Sequence, residues 1–184
     1  MSLIPYLFQS SKFKNRLAEL RPRLYKMAYS WCQSGALADD LVQDTLIKAM
    51  RNANSLRDLK AVDSWMFTIL SNCWRDYLRQ QKPTEDIDEC IFTNDDTPER
   101  EQERQNITDI VQNAVANLPQ GQSQVLSLVE LEGFTYGEVA EIVDIPIGTV
   151  MSRLNRARKA LSAQLLELKK DNVLTQGTHI RIVK

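Results

Sequence analysis

The residues best placed to do chemistry are Ser152, Arg153, Asn155, Arg156 and Lys159. They flank a run in which Val150, Leu154, Ala157 and Leu161 recur at spacings of four, three and four. That is a helical period with one apolar side and one basic side. Such a side binds; it has no means of catalysis. Arginine pairs bidentately with a guanine edge, asparagine with an adenine edge, and an α-helix fits the major groove of duplex DNA. Just upstream, Thr135 and Glu138 have the spacing of a capping box, which opens a helix by satisfying its free backbone N–H groups. Val139, Ile142 and Val143 give that helix an apolar side. Asp144 to Pro146 end it, because Pro146 cannot continue a helix but fits the first turn of the next. Two short helices joined by a tight turn, the second basic, predict a helix-turn-helix. The competing reading is a helical hairpin with a solvated charged face, and the rest of the chain must decide.

Catalytic constellations are missing. The sequence offers no nucleophile beside a base, no glycine-rich phosphate loop and no metal-ligand cluster, so neither an enzyme nor a metal or cofactor site is expected. Cys32, Cys73 and Cys90 are widely spaced and odd in number, and His179 is the single histidine. A structural zinc site needs more ligands at closer spacing. Three unpaired thiols suit a reducing cytoplasm, and buried or incidental cysteine is favoured over a redox switch. No apolar run is long enough to span a bilayer. The short apolar patch at the N-terminus lacks the basic flank of a signal peptide.

The 184 residues carry a formal net charge of −1, which conceals a block pattern. Residues 1–82 hold 13 Lys/Arg against 7 Asp/Glu, residues 83–132 hold 2 against 12, and residues 133–184 hold 8 against 5. Two basic parts flank an acidic middle, as expected of two DNA-facing modules joined by an acidic connector.

The elements that must position these residues are helical. One helix is predicted over Lys12–Gln33, with Pro22 kinking or breaking it near Leu20 or Arg21. A second covers Ala36–Asn52, with Leu41, Val42, Thr45, Leu46 and Ala49 inward. A polar loop follows to Ala61. Asp63 or Ser64 then caps a third helix reaching Gln81. It is rich in Trp65, Phe67, Ile69, Leu70, Cys73, Trp74 and Tyr77, and basic at its far end through Arg75, Arg79 and Lys82. Pro83 to about Arg104 carries nine acids and little apolar periodicity, so it reads as a flexible linker. Helical pattern resumes near Ile107. Pro119 and Gly121 punctuate it before a short helix at Gln124–Leu131. The expected fold is therefore all-α: two small helical domains at 1–82 and 106–170, an acidic linker at 83–105 and a tail at 171–184.

Three segments in this order resemble a bacterial RNA polymerase sigma factor of the extracytoplasmic-function type, the minimal form with regions 2 and 4 alone. Ala38-Asp39-Asp40-Leu41-Val42-Gln43-Asp44-Thr45-Leu46 is similar to region 2.2. Ser64 to Arg79 is similar to regions 2.3 and 2.4. Leu118-Pro119, followed by Gly148-Thr149-Val150-Met151-Ser152-Arg153-Leu154 and Arg156-Ala157-Arg158, is similar to region 4. The resemblance runs from about Leu17 to Leu168.

It implies a set of sites. Asp39, Asp40, Leu41, Gln43 and Asp44 would bind core polymerase at the clamp-helix coiled coil of its β′ subunit. Asp40 and Asp44, four apart, share a helix face that is poor for DNA but suits a basic partner. Without the resemblance the preferred reading is surface solubility with helix N-terminal charge compensation, since Asp39 and Asp40 fall in the first turn of the expected helix. The −10 element would be held by Leu59, Lys60 and Ala61 in the loop that captures a flipped base, with Asn72 at a base edge and Arg75 and Arg79 on phosphates. Trp65, Phe67 and Trp74 follow the apolar period and are assigned to the core. The −35 element would meet Thr149, Met151, Ser152, Arg153, Asn155, Arg156 and Lys159. Arg156 is assigned to guanine and Asn155 to adenine, and Arg153 and Arg158 to phosphates. Met151 and Asn155 depart from the basic and aromatic residues often found there. Further implied are promoter DNA as partner, an anti-sigma factor, often membrane-anchored, as inhibitor, and a linker lying in the polymerase's RNA-exit path. No small-molecule substrate or membrane insertion is implied.

Two rivals differ in what they require. An ordinary helix-turn-helix repressor would dimerise and bind duplex tightly alone. A protein using its acidic segment as a DNA mimic would show no salt-dependent DNA binding.

Overall fold

The computed structural model describes residues 11–56, 58–81 and 114–170, excepting the side chains of Ser11, Lys12, Asn54, Leu59 and residues 167–170. The acidic linker, Cys90, the start of the helix expected near Ile107, and the tail lie outside the described residues. Among the described residues no strand occurs. Among the described residues the helices with both ends defined are α1 Ser11–Cys32, α2 Gly35–Asn52, α3 Val62–Gln81, α4 Gln120–Glu130, α5 Tyr136–Val143 and α6 Ile147–Lys170.

The first three form one cluster. Helix α1 runs through Pro22 without a break, contrary to the local expectation. Leu20 and Leu24, on either side of the proline, are both fully buried, and this packing offsets the lost backbone hydrogen bond. Helix α2 starts at Gly35 because Ser34 caps it, its side chain accepting from the Leu37 N–H. Asp39 and Asp40 therefore stand beyond the first turn, so helix-end charge compensation does not explain them. Ala38, Leu41, Val42, Thr45 and Ala49 are buried as their period requires, and Leu46 is half-buried. The expected polar loop holds two short 3-10 turns, Ala53–Ser55 and Leu59–Ala61, with Leu56 buried beneath.

Helix α3 begins at Val62, one residue before the expected cap. Asp63 is occupied elsewhere: it accepts from Arg16 Nε and Nη2 and from Arg23 Nη1 at 2.7–3.0 Å. Burial by itself would raise its pKa, but the two guanidinium groups outweigh this and hold the carboxyl below its ordinary range. Phe67 and Trp74 are core residues, as the spacing requires, and so is Met66, while Trp65 and Tyr77 are half-buried.

The second cluster is α4–α6. Helix α4 starts directly after Pro119 and carries Gly121 within it, so that glycine does not punctuate. A side-chain carbon at Gly121 would come within 3.1 Å of the Arg153 guanidinium of α6, which would have to shift by a few tenths of an ångström to admit it. Gly133, at φ +73°, turns the chain toward α5. The capping box is present: Thr135 Oγ1 accepts from the Glu138 N–H and Glu138 Oε2 from the Thr135 N–H at 2.8 Å. Asp144 closes α5 in the left-handed region, its N–H donating to Ala140 O. Val139, Ile142, Val143, Val150, Leu154 and Ala157 are buried between the helices.

Candidate nucleic-acid interface

The strongest candidate surface is the outer side of α6. Its inner side is anchored by Val150, Leu154 and Ala157, and at 100° per residue this fixes what faces out. Met151, Ser152, Asn155, Arg156 and Lys159 are all exposed, and Thr149 is half-buried. Arg156 folds back on its own helix, its Nε donating to Ser152 O at 3.3 Å. Ile147 and Met151, one turn apart, are exposed by 52% and 54% and leave an apolar spot in this polar field. The two arginines assigned to phosphates are engaged within the protein. Arg153 is half-buried against Gly121 of α4. Arg158 donates to Glu130 Oε1 at 2.7 and 3.1 Å. Both tie α6 to α4, a role that helical spacing alone does not reveal.

The acidic candidates divide as well. Asp39, Asp40, Gln43 and Asp44 are exposed along α2. Leu41 is 4% exposed and packs into the core, supporting the face from behind while lining the groove beside it. Asp40, Gln43 and Asp44 edge a groove of about 410 Å³ between α2 and α3, whose other wall includes Asp76 and Tyr77. Lys48 crosses it to Asp76 at 3.3 Å.

On α3, Asn72 and Arg79 are exposed, and Lys60 and Ala61 are exposed at its approach. Asp58 stiffens that approach by accepting from the Lys60 N–H at 2.9 Å. The side chain of Leu59 lies outside the described residues. Arg75 departs from expectation: it is half-buried, and its Nη2 donates to Val143 O, at the end of α5, at 2.5 Å. That bond joins the two clusters.

So do several contacts absent from the sequence reading. Arg23 donates through Nε and Nη2 to Glu132 Oε2 at 2.8 and 2.6 Å, and its guanidinium stands 5.7 Å from the Phe67 ring centroid. Phe67 meets Phe134 edge to face at 5.2 Å. These pairs lie far apart in the chain, and no local spacing could have announced them. Cys73 is buried near Thr45 and Cys32 is half-buried. Among the described residues no His/Cys/Asp/Glu group could hold a metal ion, and no helix is long and apolar enough to cross a membrane.

A three-helix cluster with an exposed acidic face is followed by a helix-turn-helix, and known transcription initiation factors share this arrangement. Residues 17–84 match the family model for sigma-70 region 2, and residues 108–161 match that for sigma-70 region 4. The ECF RNA polymerase sigma factor EcfG of Rhodopseudomonas palustris is 36% identical over 145 residues, 78% of this chain and 80% of that protein. The ECF RNA polymerase sigma-E factor of Haemophilus influenzae is 37% identical over 141 residues, 70% of this chain and 75% of that protein. The sigma factor RpoE of Bartonella quintana, solved in complex with the anti-sigma factor NepR, is 29% identical with a TM-score of 0.71, covering 85% of this chain and 98% of that one. The chain belongs to the ECF sigma factors, a family of non-catalytic initiation factors.

Proposed function

We propose that this chain joins bacterial core RNA polymerase, directs it to a class of promoters through their −35 and −10 elements, and helps melt them. Asp39, Asp40, Gln43 and Asp44 would meet the basic clamp-helix coiled coil of β′. Ser152, Asn155, Arg156 and Lys159, with Met151 and Thr149 at the margin, would lie in the major groove of the −35 element. Lys60, Ala61, Asn72 and Arg79 would hold the displaced −10 strand, and Arg75 would join them once released from Val143. The observation that carries the reading is the pairing, on one chain, of an exposed acidic face on α2 with an exposed polar and basic face on α6. The chemistry of initiation stays with the polymerase.

By its likeness to RpoE of Bartonella quintana, an anti-sigma protein is proposed to restrain this chain too. Its place would be the cytoplasm, or the inner membrane where such a partner is anchored there. The experiment for strand capture is permanganate footprinting of promoter complexes formed with core polymerase. Asn72→Ala and Arg79→Ala should bind the −35 element normally yet lose thymine reactivity around −10. Unchanged reactivity in both would remove α3 from melting.

A further inference from the structure

Helix α6 carries an apolar ridge at the edge of its polar face. Ile147 and Met151 are exposed by 52% and 54%, and among the described residues no other two large apolar side chains so exposed lie one turn apart on a helix. Single exposed apolar residues are ordinary surface. Two stacked in the first turns of the second helix of a helix-turn-helix stand where that motif brings side chains to base edges. Neither is needed to hold α6 down, since Val150, Leu154 and Ala157 are buried beneath it. Asn155 continues the same row at the same spacing of four, and it too is exposed. The start of α6 is open: a side-chain carbon added at Gly148 would meet nothing within 4 Å, so a duplex can approach the ridge closely.

The major groove offers such a ridge one apolar recognition group, the 5-methyl of thymine. The other recognition groups there are hydrogen-bond donors and acceptors. A methionine or isoleucine would strip those of water and give no partner in return. We infer that Ile147 and Met151 read thymine methyl groups in the −35 element, selecting T·A pairs and rejecting pairs that put a polar edge at that place. Residues four apart on a helix are about 6 Å apart along its axis, and stacked base pairs are about 3.4 Å apart. A helix lying along the groove therefore sets the thymine that faces Met151 within about two base pairs of the base that faces Asn155. This rests on the −35 reading above. Asn155 and Arg156 choose by hydrogen bonds, whereas the ridge chooses by a methyl group.

Deoxyuridine supplies the test, because it lacks only thymine's 5-methyl and keeps the hydrogen-bonding edge. Holoenzyme assembled from the full chain and bacterial core polymerase first selects binders from promoter duplexes randomised across the −35 region. Each thymine of the selected element, on either strand, is then replaced singly by deoxyuridine, and affinity is measured by competition. At one or two positions wild type should bind about fourfold more weakly for the missing methyl. Ile147→Ala/Met151→Ala should bind thymine and deoxyuridine there equally. Both positions are exposed, so the double variant should fold normally, which circular dichroism checks. A general loss of structure would weaken both duplexes and leave their ratio unchanged. A selected element in which no methyl matters, or a methyl effect that the double variant keeps, would overturn the inference. So would a folded double variant that no longer assembles with core, since the ridge would then be a protein contact. If wild-type holoenzyme selects no −35 sequence at all, the −35 reading itself fails and the inference falls with it.

Discussion

Arg156 and Arg153 look equivalent in sequence and are not. Arg156 is exposed on α6, while Arg153 is half-buried against α4 at Gly121. Replacing Arg156 by Ala should cost about 1–3 kcal/mol at one −35 base pair and relax preference there. Arg153→Ala should instead lower stability and weaken all −35 sequences together. Competition binding against single-position −35 variants separates the two outcomes. Asp63 makes a different residue-scale prediction. Its carboxyl is held below the ordinary range by Arg16 and Arg23, so its contribution to stability is full above the unfolded pKa of about 3.9 and is lost as pH falls through the lower folded value. Asp63→Asn should therefore be less stable than wild type at neutral pH, with the gap closing in acid. Urea midpoints at neutral pH and at about pH 3 measure it. A gap that persists in acid would mean that the carboxylate's charge is not what matters.

Helices are the scale at which the sequence was most legible, and the reason is periodicity. Apolar spacing located α1, α2, α3, α5 and α6 because each buries one face against a neighbour. The capping box at Thr135 and Glu138 was visible because its partners are three residues apart. Thr135→Ala should cost about 1 kcal/mol and lower the thermal midpoint by a few degrees, roughly 2–4 °C for a chain of this size; a melting curve checks it. Local rules misled where tertiary contacts overrode them. Pro22 did not break α1, because Leu20 and Leu24 are locked in the core. Gly121 did not end a helix, because it sits beneath Arg153. Asp63 did not cap α3, because two arginines of α1 hold it. Helix α4 starts four residues before the Gln124 that sequence suggests, because Gly121 lies inside the helix and does not break it.

For the molecule as a whole, the order of the segments and their alternating charge pointed to two modules. How those modules meet was not legible. Apart from Phe67 against Phe134, the seam is made of Gln, Ser and Arg contacts that carry no hydrophobic signal, and its hydrogen-bonded partners are 53 to 109 positions apart, as for Gln124 with Ser71 and Arg23 with Glu132. The candidate site was correspondingly half legible: the exposed faces of α2 and α6 follow from helical period, whereas the engagement of Arg75, Arg153 and Arg158 within the protein does not. The central claim is that the acidic face of α2 recruits polymerase. Its most direct test is co-purification and run-off transcription with bacterial core polymerase, comparing wild type with Asp40→Arg/Asp44→Arg. Both positions are exposed, so the variant should fold normally, which circular dichroism confirms. Wild type should assemble with core and start transcripts at discrete promoters, and the variant should do neither. A variant that assembles and initiates like wild type, or a wild type that ignores core and footprints a palindrome as a dimer, would contradict the account.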